Sequence, residues 1–200
     1  MPFQRRICAG RQLTNGALQL ITSELIATLD PPGRLALAYT PAALRDRLAV
    51  VLLLDARMAA IVRRGGEEML REIRLAWWRE RLTEDPLQWP KGEPLLIVMS
   101  ATRLDGKQLT ALVDGWEALI GSEALSEARV EQFADGRVRA LMSASAATPE
   151  IASLVREWAL TDLAIHLTDD GERRLVLKHL SGERPRSQKI SRDFRGLAVM

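Results

Sequence analysis

Residues 34–82, RLALAYTPAALRDRLAVVLLLDARMAAIVRRGGEEMLREIRLAWWRERL, decide the fold class. Thr40 followed by Pro41 is an N-cap with proline at the first helical position, a start signal for a helix running to about Val62. Gly65-Gly66 breaks that helix. A further helix is expected from about Glu67 to Leu82, with Met69, Ile73, Trp77 and Leu82 near helical spacing.

The same period extends outward in both directions. Thr14 or Asn15 opens a first helix with Leu18, Ile21, Leu25 and Leu29 on one face, stopped by Asp30-Pro31-Pro32-Gly33. The segment 85–94 carries prolines 86, 90 and 94 and reads as turns. Leu95 to Met99 is apolar and short enough for a strand, but no partner strand is visible, so it is read as helix. Asp105 with Gln108 forms a capping box for a helix ending near Gly121. Ser126 starts the next helix, Thr148-Pro149-Glu150 another that ends near Thr168, and Asp170 caps a last short one closing at Ser181-Gly182. The expectation is an all-α helical bundle in one domain over 1–200, structured from about 14 to 180 with loose termini.

Composition agrees with a globular chain: 47% hydrophobic and 27% charged residues, with 28 basic against 26 acidic side chains. Both ends are basic, with Arg5, Arg6 and Arg11 at the start and Arg184, Arg186, Lys189, Arg192 and Arg195 near the finish. A solvated terminus or a peripheral membrane contact through the basic tail accounts for this, and no nucleic-acid module is visible. Cys8 is the only cysteine, which excludes an intrachain disulfide and suits a cytoplasmic setting. The longest apolar stretch, Leu48 to Leu54, falls far short of the ~20 residues of a membrane span.

The pieces RLALAYTP, LLLDARMAAIV and IRLAWWRERL resemble the squalene/phytoene synthase family. Looser support comes from DGWEALIG at Asp114 to Gly121, FADGRVRALM at Phe133 to Met142, and the helix around Trp158 to Leu167. The likeness spans roughly residues 14–180. It is nearest to the divergent bacterial branch and the related mitochondrial assembly factor for respiratory complex I. The resemblance implies an isoprenoid-synthase-like bundle in which two facing helices each bear an aspartate pair four residues apart. Such pairs share Mg²⁺ through oxygen, and the ions help a substrate diphosphate leave.

The chain departs from that pattern. Where the first pair is expected, Asp55 is followed four residues on by Ala59 and eight on by Arg63. On the helix from Glu150 to Thr168 no two carboxylates are spaced by four, and the nearest constellation is Asp162 with His166. Asp162 and His166 share a face and have ligand chemistry for a metal, but a capping acid cluster with an i,i+4 hydrogen-bonded pair is the plainer account. No residue is assigned as catalytic, and Asp55 and Asp162 are the nearest candidates. Arg63 and Arg64 are either a solvated basic helix end or direct diphosphate ligands. Trp77 and Trp78 point about 100° apart, so one packs in the core and the other lines a cavity or the surface. Trp116 and Trp158 are read as core.

With one cysteine and two histidines, no zinc site or nucleophile–base pair emerges by spacing. Two functions follow from the resemblance. One is a catalytically silent member, needing no cofactor, that binds an isoprenoid or acyl chain or a protein partner of the respiratory-complex type. The other is an active prenyl transferase with relocated Mg²⁺ ligands. Ala56, Ala59, Ala60, Ala140, Ala144 and Ala147 are expected to face the central space, and any cavity there to be apolar and dry.

Overall fold

A computed structural model of the chain describes residues 15–64, 66–144 and 149–181. They form α1 (Asn15–Ala27), α2 (Pro31–Tyr39), α3 (Ala42–Arg63), α4 (Glu68–Thr83), α5 (Pro94–Ala101), α6 (Gly106–Glu117), α7 (Glu127–Ser143), α8 (Pro149–His166) and α9 (Asp170–Ser181), with a 3-10 turn at Pro86–Gln88. There is no strand among the described residues, and the all-α expectation is met. No helix among them is long and apolar enough to cross a membrane. Cys8, Ala147, Thr148 and the basic residues at both ends lie outside the described residues.

The central element is α3. Its run Leu48 to Leu54 is buried on every side, because α1, α2, α4, α5, α6 and α7 all pack around it. Leu95 to Met99 is indeed helical. Glu93 caps it by accepting from the Leu95 N–H, and Leu95, Leu96, Val98 and Met99 are buried against the core. Glycine at Gly66 has φ +99°, so the break between α3 and α4 falls where a side chain is disfavoured.

Four local expectations are corrected. Asp30-Pro31-Pro32-Gly33 ends α1 but also opens α2, since Asp30 accepts from the Gly33 N–H at 2.9 Å. Proline belongs in a first turn, where its missing N–H costs nothing. Thr40 therefore closes α2 rather than capping α3: its hydroxyl donates back to the Ala36 carbonyl, and Pro41 takes the N-cap position of α3. At α9 it is Asp169, not Asp170, whose carboxylate accepts from the Glu172 N–H. The Asp105 carboxylate caps α6 through the Lys107 N–H, so the box with Gln108 is not closed in the expected way. Ser126 caps α7 as expected, accepting from the Arg129 N–H.

The pair α6 and α7 is the tightest crossing. A β-carbon on Gly136 would run into the Ala111 carbonyl oxygen, and one on Gly115 would crowd the Gln132 and Phe133 carbonyl oxygens at 3.2 Å. Two glycines thus let the backbones touch. Ion pairs fix the neighbours: Arg79 of α4 forks onto Asp114 and Glu117 of α6, and Arg156 of α8 reaches Glu131 and Asp135 of α7. Burial opposes the charge on Arg79, but the hydrogen bonds to Glu117 and Asp114 outweigh it and raise its pKa. This packing brings α3, α7 and α8 side by side, with the α1–α2 corner over their open edge.

Candidate functional site

The apolar stripe of α7 runs Val130, Phe133, Ala134, Ala140, Leu141, all buried. Arg137 sits in the middle of that stripe and is only 3% exposed. A buried guanidinium requires counter-charges and acceptors, and two carboxylates supply them from opposite helices. Arg137 Nη2 donates to Asp55 Oδ2 of α3 at 2.5 Å, and Nη1 donates to Asp162 Oδ2 of α8 at 2.8 Å. The Trp116 indole N–H of α6 donates to Asp55 Oδ1 at 2.8 Å. Arg63, two turns beyond Asp55, donates to Asp162 Oδ2 at 2.9 Å.

The network is charge-neutral: Asp55 and Asp162 against Arg63 and Arg137. Burial would raise the Asp162 pKa, but the Arg137 and Arg63 charges outweigh it and hold the carboxyl below the ordinary 3.8. Aromatic faces enclose the central guanidinium. Trp158 lies 3.8 Å from it, Phe133 5.3 Å and Trp116 5.5 Å, and the Trp116 and Phe133 rings meet edge to face. Such cation–π contacts add roughly 0.5–2 kcal/mol each when desolvated. Trp116 is core as expected, whereas Trp158 is half-buried and covers Arg137.

Above this network lies a cleft of about 300 Å³ that opens to solvent. Its apolar walls include Leu29, Ala56, Ala59, Ala60 and Trp158; its charged lining is Asp30, Asp55, Arg63, Arg137 and Asp162. The expectation of an apolar space is met on the walls but not on the floor, which is charged. Three of the six alanines do line it, but Ala140 and Ala144 are buried in the core instead. The small residues on α3 made room, and the buried arginine filled the floor with charge.

The structure brings Asp55, Asp162 and Arg63 together, keeps His166 beside Asp162, and leaves Arg64, Trp77 and Trp78 apart. Arg64 is exposed at the end of α3. Trp77 and Trp78 meet edge to face at 5.1 Å on α4, with Trp78 buried and Trp77 half-buried, and neither lines the cleft. His166 Nδ1 lies 2.7 Å from the Asp162 backbone carbonyl and 3.4 Å from Asp162 Oδ1. A carbonyl only accepts, so this ring nitrogen carries the proton and offers no lone pair toward Asp162. The pair as arranged is a helix-end hydrogen bond.

Nor does the donor set fit a Mg²⁺ pair. Mg²⁺ takes octahedral oxygen ligands, yet Ala59 occupies the position one turn from Asp55, and the carboxylate oxygens hold N–H groups. No three His, Cys, Asp or Glu side chains cluster as a metal site among the described residues. Sequence reading missed Arg137, though a signal existed: an arginine at helical spacing within an otherwise apolar stripe. Compared with family models, curated proteins and solved structures, the chain matches none of them.

Proposed function

We propose that this chain is a catalytically silent, squalene/phytoene-synthase-like protein that binds rather than transforms. The observation that carries this reading is the arginine bridge. A fixed guanidinium joins Asp55 of α3 to Asp162 of α8, whereas the resemblance implies paired aspartates on two facing helices that are free to hold metal. Two cations built into the chain, Arg137 and Arg63, balance both carboxylates, so a diphosphate leaving group finds no mobile metal charge to offset its own.

Between a prenyl chain and a protein as the bound partner, the surfaces favour a protein of the assembly type. A prenyl chain entering the cleft meets five charged side chains whose hydration it would displace at a cost. By contrast α4 turns Met69, Leu70 and Ile73 outward at 68%, 48% and 57% exposure, with half-buried Trp77 one turn further on the same face. Methionine and tryptophan are enriched in protein interfaces.

The test is diphosphate release from farnesyl or geranylgeranyl diphosphate with Mg²⁺ present. No release above a heat-killed control is expected. Turnover that disappears in Asp55→Ala would overturn the reading in favour of a prenyl transferase with relocated ligands. A thermal-shift titration with a non-hydrolysable farnesyl diphosphate analogue then separates the two binding roles, because a ligand of the folded state raises the melting temperature.

A further inference from the structure

A second cleft lies on the other side of Arg63, and its chemistry differs from the first. It is about 230 Å³, bounded by the end of α3, the first turns of α4, the segment after α6, and the end of α8. Val62, Trp116, Leu119, Leu125, Leu163 and Leu167 give it apolar walls. Arg71 of α4 reaches in, half-buried. Its Nη1 makes one long bond, 3.4 Å, to the Val62 carbonyl, and its Nε is buried with no acceptor. Arg71 has no ion pair with a carboxylate among the described residues.

The other charges around the cleft are already committed or peripheral. Arg129 is used up by the carbonyls of Ala118, Ile120, Glu123 and Ala124, which holds the loop after α6 closed. Glu172 accepts from the Leu125 N–H, and Glu123 is exposed. Arg63 spends only Nη2, on Asp162, and its remaining guanidinium nitrogens make no hydrogen bond. Two guanidinium groups with unused donors therefore face one pocket whose lining is part apolar and part polar, with His166 at the end of α8 also on its wall.

We propose that this second cleft binds a monocarboxylate bearing a short apolar chain. Arg71 is the anchoring group: apart from the long Nη1 bond its terminal nitrogens have no acceptor among the described residues, and a carboxylate is the planar acceptor that a guanidinium fork fits. Arg63 supplies the second contact. A single negative charge suits the site, since Glu123 and Glu172 oppose a dianion. The volume lies below the ~300 Å³ at which drug-sized pockets begin, which limits the chain to a short one. Arg71 takes no part in the carboxylate bridge, so this inference stands or falls apart from the proposed silence of the chain.

The probe is octanoate, titrated by thermal shift beside octanol and inorganic phosphate. At ten times its dissociation constant octanoate raises the melting temperature by roughly 3–6 °C, with little effect from octanol or phosphate. Arg71→Gln, read against its own melting temperature, abolishes the shift, and Arg71→Lys retains part of it. An absent octanoate shift, an equal shift from octanol or phosphate, or an undiminished shift in Arg71→Gln overturns the proposal.

Discussion

Replacing Arg137 by methionine removes the cation from the centre of the bundle while keeping most of its volume. Asp55 is then left with only the Trp116 N–H, although its side chain is just 11% exposed. Asp162, at 20% exposure, still has Arg63. The cost is therefore concentrated on one stranded buried carboxylate, and removing one partner of such a pair typically costs about 3–5 kcal/mol. The methionine keeps apolar contact with Trp158 but loses the cation–π attraction. For a chain of this size about 1 kcal/mol moves the melting temperature by roughly 2–4 °C, so a drop of around 10 °C is expected. Urea unfolding followed by far-ultraviolet circular dichroism at neutral pH measures it. The double variant Asp55→Leu with Arg137→Met should recover much of the loss, because an apolar pair replaces a buried ionic one at little net cost. A single-variant loss under about 1 kcal/mol, or two single losses that simply add, would refute the account of Arg137 as the structural cation.

Two further outcomes follow from the same geometry. Because Asp162 has a folded-state pKa below its ordinary 3.8, the unfolded chain takes up its proton first on acidification. Its contribution is therefore present above that ordinary value and is lost as pH falls through the depressed one. Acid titration of stability should show a shallower acid limb in Asp162→Asn than in the parent; identical limbs would contradict it. Gly136→Ala should destabilise by about 1–3 kcal/mol, since the added carbon meets the Ala111 backbone, which cannot move without parting α6 from α7; thermal unfolding reads this, and a neutral change would deny the close crossing.

Local chemistry made the helices legible from the residues alone. Ser126 before Glu127, Asp105 before Gly106 and the glycine at 66 act within one turn of chain, so their effect is written where they stand. The misread signals were also local, but ambiguous. Asp30-Pro31-Pro32-Gly33 stops one helix and starts the next with the same residues, and the Thr40 hydroxyl had a free choice between the Ala36 carbonyl behind it and an N–H ahead. The site belongs to a different level. Helical spacing sets Arg137, and not Arg139, within the apolar stripe of α7, but what it meets there is decided only by how α7 packs on its neighbours. Its partners Asp55 and Asp162 lie 82 and 25 residues away. No sequence period registers a contact of that span; it exists because burying a charge makes opposite charges, wherever they lie in the chain, converge on it.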